Sequence, residues 1–253
     1  MKRVRDQGAN VTNIGKLHYW SIDDDNGFSQ EIDPMHILDG KGGVSMLLRG
    51  IDDEPENVDQ WELYLEKSGI GGTEYQDFDS VISDKAINWL KHDRPEGEPW
   101  ALHVSYVSPD PPFSVPEHLW NLYPFDDFPL PPASLSVSRP HHPAIDHLRK
   151  TMRWGELSKL DLKKITAGYM ALITHMDDQL GRVITAVEEL GLIDDTHIIY
   201  TSDHGEMAGS HELLGKCNLY EGSIGVPLIV TGADIPEGVI ITENVSHIDL
   251  FQT

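Results

Sequence analysis

An aspartate and a histidine stand side by side at Asp203-His204, followed by a second histidine, His211, and a lysine, Lys216. They come directly after the apolar run Ile198-Ile199-Tyr200. Charged groups at the end of a buried strand are costly unless something pairs with them. A carboxylate oxygen and an imidazole nitrogen can supply half of a divalent-metal shell. The same aspartate could equally cap a following helix. Upstream, Gly15-Lys16-Leu17-His18 offers another lysine and histidine, and Ser108-Pro109-Asp110 another carboxylate. Taken singly, each of these reads as well as a solvated surface group.

The elements that must position these groups give the spacing its meaning. A short strand is predicted from Ala9 to Ile14, a buried strand over Trp100–Val107, and further strands over His197–Thr201 and Val226–Thr231. Apolar positions Val81, Ile82, Ala86, Ile87 and Leu90 form a helical stripe within Asp79–Lys91. A long helix is predicted from about Asp161 to Leu190, because Ile165, Tyr169, Leu172, Ile173, Met176, Leu180, Val183 and Val187 keep steps of three and four. Gly191 supplies its stop signal. Strands alternating with helices predict an α/β fold on a largely parallel sheet. GKLH, SPDPPF and SDHG each follow a predicted strand, and in open α/β sheets ligands sit outside the carboxyl ends of the strands. Three polar loops could therefore converge on one crevice.

Composition narrows the function. Lys+Arg 19 against Asp+Glu 42 gives a formal net charge of −23. So acidic a chain is a poor match for nucleic acid, whose binding depends on basic groups at phosphates. An anion site here must be made locally positive by lysines, helix ends or a bound cation. No run of eighteen apolar residues occurs, so no membrane span or membrane partner is expected. The single cysteine, Cys217, excludes an intramolecular disulfide. The first residues, MKRVRDQGANV, lack the apolar core of a secretory signal, which favours a cytoplasmic location unless the natural start lies upstream.

The remaining candidates read as structural. Asp177-Asp178 lies on the long helix as surface charge or a bond to a neighbouring loop, and Ser21–Asp25 (SIDDD) lacks the spacing of an EF-hand. His141, His142 and His147 fall in an irregular excursion over about 124–160, and Gly42-Gly43 and Gly71-Gly72 have no phosphate-loop context.

Five stretches in register resemble the sulfatase family of the alkaline-phosphatase-like superfamily. They are IGKLHY, the strand ending VSYVSPDPPF, the helix YMALITHMDDQLGRVITAVEELGLIDDT, IIYTSDHGEMAGSHELLGKCNLYEGSIGVPLIV, and VSHIDLFQT. The match covers roughly residues 8–253. It implies a three-layer α/β/α sandwich and hydrolysis of a sulfate monoester at a divalent metal. Calcium is the first choice, with manganese, magnesium or zinc as alternatives. Asp203 and His204 would then be metal ligands. Lys16 and His18 would hold and orient the nucleophile, Lys216 would bind a sulfate oxygen near the leaving group, and His211 would face the site. A metal and two ammonium groups would stabilise charge developing on the ester.

Three departures qualify the resemblance. The family's nucleophile motif, Cys or Ser followed by x-Pro-x-Arg, and an acidic pair near the first strand do not occur in these residues, and Cys217 lacks the flanking proline and arginine. The formylglycine that the family makes from that cysteine is therefore missing. The chain is expected to be one partial domain, incomplete at the N-terminus and at the C-terminus, and inactive alone. Where the family has Pro-His, this chain has Pro109-Asp110. A carboxylate about 4 Å from an anionic oxygen costs roughly 4 kcal/mol at an effective dielectric of about 20. Asp110 must therefore point away, be held by a lysine, or face a different substrate. The arginine before VPLIV is also replaced, by Ile224-Gly225.

Two other functions remain open. One is phosphodiester or phosphonate monoester hydrolysis on the same metal-and-lysine plan, so that the small substrate is sulfated or phosphorylated. The other is a non-catalytic binding module. If central strands are missing, exposed edges should promote self-association into homo-oligomers. The chain is then expected to elute ahead of a monomer on size-exclusion chromatography, and a clean monomer would refute that.

Overall fold

The computed structural model describes residues 1–19, 21, 23–35, 62–130, 142–152, 154 and 157–251. Seven strands occur among them: β1 (Asn10–Gly15), β2 (Gln30–Ile32), β3 (Gly69–Ile70), β4 (Trp100–Ser105), β5 (Ser114–Val115), β6 (Ile198–Thr201) and β7 (Leu228–Thr231). The helices that matter here are α1 (Glu74–Asn88), α2 (Pro143–Thr151), α3 (Lys159–Glu189) and the one-turn α4 (Glu221–Ile224).

The main sheet has the order β2-β1-β4 and is wholly parallel, with Ile14 opposite Val104 and Gly15 opposite Ser105. Strand β1 reads Asn-Val-Thr-Asn-Ile-Gly and is buried from Val11 to Gly15, as a central strand covered on both faces should be. Strands β3 and β5 form a short parallel pair. Strands β6 and β7 pair antiparallel, Ile198 opposite Thr231 and Thr201 opposite Leu228. The α/β class and the largely parallel pairing agree with the sequence reading. The direction of β7 is a feature that hydrophobic patterning does not encode.

Helix α3 starts slightly earlier than its apolar stripe, for a local reason. The Ser158 hydroxyl accepts from Asp161 N at 3.1 Å, and the Asp161 carboxylate accepts from Ser158 N at 2.9 Å. This reciprocal cap satisfies two end groups of the helix. The helix is 31 residues long and serves two cores. Ile165, Ala171 and Leu172 pack with Phe113, Val115, Met207, Leu213 and Leu214, while Val183, Ala186 and Val187 pack with Ile14, Ile82, Ala86 and Trp89. One helix thereby ties the parallel sheet to the loop that follows β6.

The apolar run that opened the sequence reading is less buried than expected. Ile199 is 51% exposed and Ile229 59% exposed. One side of β6–β7 faces α3 across a crevice of about 350 Å³ lined by Ile173, Leu180, Ile184, Ile198, Tyr200 and Ile229 among others. The excursion over about 124–160 is also more ordered than expected, since it contains α2, whereas residues 131–141 lie outside the described residues and His141 with them. Gly42-Gly43 also lies outside them. His142 accepts from Ala144 N at the start of α2, and Asp25 of the SIDDD stretch is paired with Lys2 and Arg5. No helix among the described residues is long and apolar enough to cross a membrane.

Candidate active site

Three strand ends deliver the charged side chains. Lys16 follows β1 directly, and its backbone N–H donates to Ser105 O at 3.1 Å, which extends the β1–β4 pairing by one bond. Leu17 and His18 then donate to Met35 O, just beyond β2. Asp110 sits in the turn after β4, where its N–H donates to Val107 O at 3.0 Å. Asp203 and His204 follow β6, and Lys216 lies thirteen residues after Asp203.

These loops meet. Asp110 Oδ2 is 3.1 Å from Lys16 Nζ, and Asp110 Oδ1 is 3.0 Å from Lys216 Nζ. Lys16 Nζ also stands 3.9 Å from Asp203 Oδ2. Residues from positions 16, 110, 203 and 216 therefore share one electrostatic centre. Of the three possibilities that the sequence left for Asp110, the structure selects a carboxylate held by lysine, and by two of them. Burial pushes the Asp110 carboxyl up, but Lys16 and Lys216 outweigh it and hold the group below the usual carboxylate range. Burial, and then the Lys16 ammonium, push the His18 imidazole down, with Asp110, Lys216 and Asp203 also within electrostatic reach. A neutral His18 near pH 7 can exchange a proton with a bound group.

His204 is oriented by its own loop. Its Nδ1 lies 3.0 Å from Gly205 O, so the ring donates there and leaves Nε2 as the lone-pair nitrogen. That Nε2 is 3.5 Å from Asp203 Oδ1. Ring orientation by a backbone carbonyl is the usual support for a metal-binding histidine. No helix begins at His204, because the next helical turn is Ser210–Glu212. The helix-cap alternative for Asp203 is thereby set aside. The pair fits as two ligands of a divalent cation. Among the described residues, however, no group of three or more His, Cys, Asp or Glu side chains comes together as a metal shell.

The contacts that His211 makes lie elsewhere. Its ring stacks on Tyr220 with centroids 4.1 Å apart, and its carbonyl accepts from Arg149. Neither contact reaches the lysine–aspartate group. Cys217 is an exposed residue, and partial burial pushes its thiol up against the opposing effect of Lys216, so it is not activated.

Two supporting carboxylates escaped the sequence reading. Asp79, fully buried on α1, accepts from Val107 N at 2.7 Å and Ser108 N at 3.0 Å, and so fixes the turn that carries Asp110. Glu206 accepts from Ala208 N at 3.0 Å and Gly215 N at 2.6 Å, closing the loop that ends at Lys216. Burial pushes its carboxyl up. The signal for Asp79 was available: it precedes Ile82, Ser83 and Ala86 at helical spacing, which places a carboxylate on the buried stripe.

The family model for sulfatase matches residues 2–253. The chain belongs to the sulfatase family. Among curated proteins it is similar to the multifunctional alkaline phosphatase superfamily protein PehA of Trinickia caryophylli, 35% identical over 203 residues, covering 71% of this chain and 38% of that protein. It is also similar to choline-sulfatase of Rhizobium meliloti, 27% identical over 99% of this chain and 50% of that protein. Among solved structures, phosphonate monoester hydrolase of Agrobacterium radiobacter matches with a TM-score of 0.63 and 27% identity, covering 90% of this chain and 51% of the other. This sulfatase-family chain thus spans half or less of the length of these curated relatives. The family's members are hydrolases of the alkaline-phosphatase-like fold, which generally use a divalent metal and formylglycine.

Proposed function

We propose that these residues form the anion-binding part of a sulfate-ester hydrolase site. The observation that carries the reading is the meeting of Lys16 and Lys216, two hundred positions apart, on one carboxylate at 3.1 and 3.0 Å. Two ammonium groups fixed in this way offer hydrogen bonds and charge to the oxygens of a tetrahedral ester. Donors aimed at developing charge are usually the largest catalytic contribution. Lys16 also reaches towards Asp203, so the same side chain links the anion seat to the Asp203-His204 pair. His18, held neutral by burial, is placed to accept or return a proton at its ring nitrogen.

Asp203 and His204 would contribute two ligands to a divalent cation, calcium by first choice because the resemblance to the sulfatase family implies it. A cation bound there would neutralise an ester oxygen that the acidic chain would otherwise repel. The substrate class is a small sulfate monoester. The likeness to a phosphonate monoester hydrolase supports a phosphorylated alternative on the same groups.

The test is made on the complete natural protein that carries these residues. It is expected to hydrolyse an aryl sulfate, with Lys216→Ala lowering kcat/KM at least tenfold. Asp203→Ala is expected to reduce bound divalent metal measured by elemental analysis. Turnover of an aryl phosphonate but no aryl sulfate would select the alternative. Unchanged kcat/KM in Lys216→Ala would refute the assignment of the site.

A further inference from the structure

Lys16 and Lys216 already hold an anion, and that anion belongs to the protein. The Asp110 carboxylate spans the two ammonium groups with one oxygen on each, as two oxygens of a bound ester would. It is held at both ends, by an ammonium on each carboxylate oxygen and by its backbone. Its own N–H is bonded to Val107 O, and the preceding residues are bonded to the buried Asp79. The side chain is only 21% exposed. An ester that enters this centre must therefore share the lysines with Asp110 rather than replace it.

We propose that Asp110 is a specificity-determining residue, a built-in counter-anion that admits a singly charged ester group and rejects a doubly charged one. The inference rests on the anion-site reading given above. Its logic is charge counting. Lys16 and Lys216 contribute two positive charges and Asp110 one negative, Asp203 being assigned to the cation, so these three groups leave one net positive charge for an incoming anion. A singly charged sulfate or phosphonate monoester adds one negative charge beside Asp110. A phosphate monoester at alkaline pH adds two. The second charge meets the same fixed carboxylate at close range, and like charges set opposite each other are a strong source of discrimination. The asparagine counterpart would keep the size and one acceptor oxygen, give up the bond to one of the two lysines, and lose that repulsion.

The experiment compares binding of phenyl sulfate and phenyl phosphate to the 253-residue chain at about pH 8 by titration calorimetry, so that one probe carries one charge and the other two. The wild-type chain is expected to prefer phenyl sulfate at least tenfold. In Asp110→Asn, and in Asp110→Ser as a second variant, the preference is expected to fall below about threefold, mainly through gain in phenyl phosphate affinity. A merely structural role for Asp110 would weaken both probes together and leave the ratio in place; that result overturns the proposal. So does equal or tighter binding of phenyl phosphate by the wild-type chain, which needs no folded variant. Absence of binding by either probe in wild type and variants alike overturns the anion-site reading itself, and this inference with it.

Discussion

Replacing Asp79 with alanine is expected to cost the fold about 3–5 kcal/mol and to release the turn that carries Asp110. The carboxylate is fully buried and accepts two backbone N–H groups, from Val107 and Ser108. Alanine would leave both donors buried without a partner. Each unsatisfied donor costs about 1–3 kcal/mol, and hydrogen bonds to a charged acceptor lie at the upper end. Water could not easily substitute, since Ile82 and Ala86 on the same face of α1 are fully buried as well. Asp79→Asn retains one carbonyl oxygen and is expected to lose roughly half as much. Urea unfolding of the two variants reads both numbers. The variants differ in a second respect, because only a fixed turn keeps Asp110 between Lys16 and Lys216. A loss below about 1 kcal/mol in Asp79→Ala would show that the turn is held by something else.

Asp79 also marks what a sequence can and cannot disclose. The helix that carries it was legible, because Ile82 and Ala86 keep helical spacing. An aspartate inside that stripe could be read as burial with a partner or as an edge position facing water. Only the long-range approach of the segment after β4 decides between them. Lys16 and Asp203 were legible for a different reason. Each lies just beyond a strand, and strand ends are where α/β sheets place ligands. Lys216, well past the end of β6, was given a role only through the family resemblance. The partner shared by the two lysines was not legible, since Asp110 could point away, be held, or face another substrate, and only packing chooses. The antiparallel direction of β7 is hidden for a related reason: a four-residue apolar run looks the same in either direction. Local signals named the groups, and three-dimensional contacts assigned their partners.

Gly15→Ala tests the most crowded of those contacts, and is expected to destabilise the protein by about 3–5 kcal/mol. Gly15 has φ +102, and a Cβ added there would stand 2.1 Å from Ser105 O and 3.2 Å from Ile82 Cγ2. The first contact is backbone, so no rotamer change relieves it. Ser105 O also accepts the Lys16 N–H. Any shift that makes room would lengthen that bond and move Lys16 away from Asp110. Ile14 and Ile82 are both fully buried, which leaves the helix no space to retreat. Gly8 supplies the control within the same chain. Its φ is +101, yet nothing lies within 4 Å of an added Cβ. Gly8→Ala should therefore show only the conformational cost, about 1–2 kcal/mol. The difference between the two variants in urea unfolding isolates the steric contribution at the end of β1. Equal losses would mean that backbone conformation alone explains Gly15, and that the Lys16 loop can move without opposing the sheet.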